Sequence, residues 1–214
     1  MELHRPHEHS PFRSWSAFFV EIATIVIGVL IALSFEGVRE WQHNRSLARE
    51  ARETIVRELT ENSHELDGDI KNAPKRTAEV RLALQYVNDL LQTGKTSLRT
   101  IGLNVVHGDL RRSSWQTAVQ TGALGHMAFG DVQKYAGVYD LQELYESQER
   151  RSLEHMSDAL VLVAAGIDPE TAKRPDLERF RDRVLVMSAD LLIETQLAHQ
   201  LHERYATVLA EQVQ

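Results

Sequence analysis

A few stretches of this chain of 214 residues hold side chains able to do chemistry. Gly94-Lys95-Thr96 has the ending of a phosphate-binding loop, but such a loop needs a glycine where this chain has Asp89, inside a helical pattern. His199-x-x-His202-Glu203 sets two imidazoles on one helix face, yet the order differs from the His-Glu-x-x-His of zinc proteases. His107-Gly108-Asp109 pairs a base with an orienting carboxylate, and no nucleophile pattern accompanies it, so it reads as a turn. His155 and Asp158 stand one turn apart and read as a polar pair on a helix surface. His4, His7 and His9 lie in a polar tail without fixed geometry. The chain has no cysteine, which removes disulfides, thiolate metal sites and a cysteine nucleophile. Its formal net charge of −7 argues against a broad nucleic-acid surface. These residues imply no catalytic group, no metal and no cofactor.

The element that organises the rest is Ala17 to Phe35, AFFVEIATIVIGVLIALSF. A helix over it is about 28 Å long, close to the thickness of a bilayer core. Its one charged residue, Glu21, lies near an end and reads as interfacial. Leu33-Ser34-Phe35-Glu36 offers no small-x-small cleavage site, which argues against a signal peptide. The reading is a disordered tail over 1–15, a transmembrane helix over 16–36 and a helical bundle domain over 37–214. Trp15 suits the membrane interface, and Trp41 reads as a second interface residue or as the first core contact. Glu21, Gly28 and Ala32 share one face of the anchor, and Gly28-x-x-x-Ala32 is a small-xxx-small pair suited to close backbone approach by a second copy.

Beyond the anchor the 3.6-residue period dominates. Leu47, Ala51, Ile55, Leu59, Ser63 and Leu66 form a stripe, so the anchor continues to about Ile70 as one rod. Pro74 reads as the first turn of a second helix that Thr93-Gly94-Lys95 ends. Thr96 to Leu110 shows no clear period, and Leu103 to Val106 reads as a short extended piece. Ser113 or Ser114 caps a short helix from Trp115 to Thr121. Gly122 ends it with positive φ, and Trp115 and Leu124 bury apolar area against the bundle, a packing motif formed with Thr121. Asp131 caps a helix to about Ala165 whose polar middle, Gln142 to Glu154, reads as facing water or a partner. After a turn at Gly166 to Pro175, Asp176 caps a last helix to about Gln212, whose apolar stripe includes Glu194. The fold class is all-α: a transmembrane helix continuing into an up-and-down bundle.

Glu21-Ile22, Val26-Ile27-Gly28-Val29-Leu30-Ile31-Ala32-Leu33 and then Trp115-x-x-Ala118-x-x-Thr121-Gly122-x-Leu124, followed by Tyr135 and Tyr139, resemble a family of uncharacterised bacterial membrane proteins. These have one N-terminal anchor and a helical domain of unknown function. The resemblance implies a single pass through the bacterial inner membrane, with the N-terminus inside and the soluble domain periplasmic. It implies no activity. Counted alone, Arg39, Arg45, Arg49 and Arg52 after the anchor outnumber Arg5 and Arg13 before it, and lean toward the opposite topology.

The functional reading is a membrane-anchored helical interaction or sensing module. Its partners are the lipid bilayer, a second copy through the anchor, and a protein. The alternative is a membrane-tethered hydrolase whose active site has no recognised pattern.

Overall fold

The computed structural model describes residues 15–96, 108–164 and 172–211. The chain is an all-α, four-helix bundle: α1 (Trp15–Thr93), α2 (Ser113–Gln120), α3 (Phe129–Ala164) and α4 (Arg174–Ala210), with a 3-10 turn at Ala123–His126. The tail residues 1–14, the expected extended piece at Leu103 to Val106, and most of the turn before α4 lie outside the described residues.

One helix of 79 residues replaces the two expected between Glu36 and Gln92. At about 1.5 Å per residue it is about 118 Å long. Proline inside a helix removes a hydrogen bond and costs roughly 3 kcal/mol. Here Pro74 is exposed, while Asp69, Ala73, Arg76 and Val80 carry the inward stripe straight past it. Packing of that stripe along α4 outweighs the local penalty.

This continuity changes the topology. Arg52 bonds to Asp131 near the start of α3, and Tyr145, further along α3, bonds to Asp69, so α1 and α3 run parallel. α4 is antiparallel to α3: Lys134 pairs with Glu211, and Gln148 with Asp190. The bundle is therefore not up-and-down. No hairpin forms at Pro74, and the chain returns after Thr93 to the level of Asn62, where Arg111 is held.

The core has two apolar blocks. The anchor-proximal block gathers Ile55, Leu59, Leu66, Tyr135, Val138, Leu201 and Tyr205. The distal block gathers Val80, Val87, Ala159, Phe180 and Val184. Between them lies a polar waist of Asp69, Arg76, Gln148, Glu149, Asp190 and Glu194, all buried. The polar middle of α3 thus faces inward, contrary to its composition: Gln142, Tyr145, Gln148 and Glu149 are buried against polar groups of α1 and α4. On α1, Asn62 takes the inward position and Ser63 is only partly buried.

None of the three expected side-chain caps works as one. α2 begins at Ser113 after Arg112 and has no side-chain cap of its own. Asp131 sits inside the first turn of α3 and pairs with Arg52. Asp176 sits inside the first turn of α4, which starts at Arg174 with Pro175 in its first turn, and pairs with Arg179. Charge at a helix start is favourable without a capping hydrogen bond, because the helix dipole is positive there.

Gly122 ends α2 at φ 74° and opens the 3-10 turn. Trp115 and Leu124 on either side pack on the anchor-proximal block, and the Thr121 hydroxyl bonds back to the Thr117 carbonyl. A β-branched residue resists positive φ, so Gly122→Val is expected to lower stability by about 1–2 kcal/mol. Thermal melting of the full chain in detergent checks this; an unchanged Tm overturns it.

Among the described residues, one helix is long and apolar enough to cross a membrane, and its apolar window, near the N-terminus of α1, has no buried residue. Glu21, Gly28 and Ala32 are exposed on it, and a Cβ built at Gly28 meets nothing within 4 Å.

Candidate functional site

The most connected polar site lies inside the anchor-proximal block, where α1, α3, α4 and the start of α2 converge. Glu58 and Asn62 stand one turn apart on α1 and both point inward. The Glu58 carboxylate accepts three hydrogen bonds: from the Tyr139 hydroxyl (2.7 Å), the Ser113 hydroxyl (2.9 Å) and the Ser114 N–H (2.7 Å). The missing cap of α2 is thus supplied by α1, and an anion at a helix N-terminus is stabilised by the free N–H groups and the dipole. Asn62 grips the Arg111 backbone at both groups, accepting from its N–H at 2.8 Å and donating to its carbonyl at 2.7 Å. Gln142 on α3 donates to the same carbonyl at 3.1 Å and to Glu146 at 2.9 Å, and accepts from Tyr205 on α4 at 2.8 Å. Glu146 in turn pairs with Arg112.

Burial alone would raise the Glu58 carboxyl; the Ser114 N–H, the Tyr139 hydroxyl and the Ser113 hydroxyl outweigh it and hold the pKa below the usual value. Burial, then the bond to Glu58, pushes the Tyr139 phenol well up. Burial does the same for Tyr205. These phenols stay protonated and donate. Because the folded Glu58 pKa is depressed, its stabilisation is present above the reference value of 4.5 and is lost as pH falls through the lower folded value. The Tm of the full chain is therefore expected to fall below that pH, and to fall less steeply in Glu58→Gln. Equal slopes in the two proteins overturn this account.

Outside this junction, Trp115 stacks on Tyr139 with centroids 5.2 Å apart. The two rings, with Arg112, Val119 and Asp140, line a cavity of about 450 Å³ between α2 and α3. A second groove of about 480 Å³ lies between α1 and α4, lined by Thr77, Leu192 and His199 among others.

Cross-helix contacts knit the waist together. Arg76 on α1 meets Glu194 on α4 at 2.9 Å. His155 Nδ1 lies 2.6 Å from Asp190, which also accepts from Gln148 at 3.1 Å. His155 and Asp158 therefore do not pair with each other: each turns to α4, Asp158 meeting Arg183 at 3.3 Å. The two imidazoles of His199 and His202 are not joined either, since His202 bonds to Asp67 at 2.9 Å and His199 lines the groove. Gly108 places its N–H 3.1 Å from Asp69, and a Cβ there would sit 2.7 Å from that carboxylate. His107 lies outside the described residues. Among the described residues, no three His, Cys, Asp or Glu side chains converge to hold a metal ion.

The sequence placed Glu194 on the inward stripe of α4 and positive φ at Gly122, and did not mark out Glu58, Asn62, Gln142 and Asp190 as a buried set. A signal was present: each stands three or four residues after an apolar inward residue, Ile55, Leu59, Val138 and Met187 respectively. A polar residue on such a stripe marks either an interruption or a buried network. Comparison with protein-family models, curated proteins and solved structures returns no match to this chain.

Proposed function

We propose that this protein is a membrane-anchored helical interaction or sensing module, held in the bacterial inner membrane by residues 16–36. The single observation that carries the reading is the unbroken α1. The exposed apolar stretch and the central helix of the bundle are one element, with Leu47 the first of its residues to pack on the core. A rod of this kind passes a shift or rotation at one end to the other, and the ring-lined cavity beside Glu58 offers a binding surface at the bundle end. The exposed Gly28 and Ala32 give a second copy a surface for close backbone approach, with Glu21 on the same face. The bundle is read as periplasmic, which is what the resemblance to single-pass membrane proteins implies.

Full-length protein is expected to remain in the membrane pellet through alkaline carbonate extraction; release into the supernatant overturns the anchor. In the same membranes Gly28→Ile is expected to weaken self-association while Ile31→Leu does not, and equal signals remove the anchor from the interface. Protease added to spheroplasts should digest the bundle, and full protection overturns the periplasmic placement.

A further inference from the structure

From Glu36 to Glu50, spanning the end of the apolar stretch and the first core residue, Leu47, α1 presents a largely exposed surface whose two faces differ in charge. Val38, Trp41, Arg45 and Arg49 fall within an arc of about 80° on one face. Glu36, Glu40 and Glu50 fall on the opposite face by the same helical geometry, together with His43, and Arg39 lies at the margin of that face. Trp41 is 59% exposed and Val38 55%, so Trp41 is not a core contact. Arg49 has only a loose pairing, 4.0 Å to Glu53, with both side chains largely exposed.

Two distances place this face. Trp15 and Trp41 are about 39 Å apart along the axis at roughly 1.5 Å per residue. That is close to the roughly 40–45 Å of a bilayer with its headgroups, where interfacial aromatics collect on both sides. Trp41 also lies about 9 Å past Phe35, at the outer edge of the headgroup layer, which adds roughly 5–7 Å on each side of a core about 30 Å thick. The Arg45 guanidinium does not point away from this layer. Helical side chains lean toward the N-terminus, and the Arg45 Cζ sits 5.3 Å from the centre of the Trp41 ring, one turn back toward the anchor.

We propose that Val38, Trp41 and Arg45 form a binding site for the phosphate of an anionic phospholipid. Resting on the anchor reading above, the site has the Trp41 indole at the interface and the Arg45 guanidinium on the headgroup phosphate. The three carboxylates on the far side, only partly offset by Arg39 at its margin, leave this site as the favoured side for anionic lipid. The contact fixes both the depth and the rotation of α1 relative to the membrane surface.

The test uses the full chain carrying Trp15→Phe, reconstituted in phosphatidylcholine vesicles with a fixed share of phosphatidylcholine spin-labelled at the headgroup. Trp41 emission is then quenched by the label, and Trp41→Phe shows how much of the quenched signal belongs to that residue. Replacing part of the unlabelled lipid with phosphatidylglycerol is expected to displace the label and relieve quenching a few-fold more than replacement with phosphatidylethanolamine, in line with the attraction of a single arginine to an anionic surface. Arg45→Gln should abolish that difference while floating with the vesicles as the parent does. Equal relief by both lipids, or a preference for phosphatidylglycerol that survives Arg45→Gln, overturns the proposal. Protein that fails to float and shows no quenching overturns the anchor itself, so the two failures are distinguishable.

Discussion

Glu194→Ala is expected to destabilise the bundle by about 3–5 kcal/mol, the usual cost of stranding one partner of a buried ion pair. Glu194 is 1% exposed and sits on the apolar stripe of α4, where it meets Arg76 of α1 at 2.9 Å. Truncation leaves the Arg76 guanidinium in the waist without that carboxylate, and no apolar neighbour compensates for lost solvation. The pair itself adds little net stability, because desolvating both charges offsets their attraction. Replacing both residues, Arg76→Met with Glu194→Leu, is therefore expected to recover most of the loss. Denaturant unfolding of the full chain in detergent, followed by circular dichroism, reads both proteins. A single variant within about 1 kcal/mol of the parent, or a double variant no better than the single, overturns this account.

Asn62→Ala is expected to cost about 2–4 kcal/mol, and to act first on the segment entering α2. Each buried hydrogen bond whose partner is left unsatisfied costs roughly 1–3 kcal/mol, and the vacated volume adds to that. Asn62 makes three bonds, two to the Arg111 backbone and one to Gln142; the Arg111 carbonyl keeps Gln142 and the Gln142 oxygen keeps Tyr205, so the Arg111 N–H is the group left stranded. Gln142 keeps its bonds to Tyr205 and Glu146, so α3 and α4 stay joined. The Arg111 backbone loses the side chain that fixes it to α1, and the exposed pairing of its guanidinium with Glu61 is left to tie it there. Hydrogen exchange should accordingly speed up at the Arg111 amide by more than it does across Leu201 to Val208 of α4. Uniform acceleration across the chain would show that Asn62 is an ordinary core residue and not a local latch.

Helix content and the apolar stretch were legible because both are local. The stripes of α1 and α4, from Ala51 to Leu66 and from Leu177 to Val208, depend only on residue spacing, and burial follows that spacing almost residue for residue. Gly122 was legible for the same reason, since positive φ after a helix is a property of one residue. Pro74 misled because its local penalty is real but smaller than the packing of four inward residues around it. The middle of α3 misled because Gln142, Gln148 and Glu149 are polar by composition, and composition does not reveal that their partners wait on α1 and α4.

The sequence by itself determined the class of structure, the position of the apolar helix and most of the inward-facing positions, because hydrophobic periodicity is written within single helices. Only the tertiary structure decided the parallel course of α1 and α3, the capping of α2 by Glu58, and the polar waist that joins Arg76 to Glu194. Those features are hydrogen bonds and ion pairs between residues far apart in the chain. A buried carboxylate is costly or useful according to what stands opposite it, and the spacing within one helix does not carry that information.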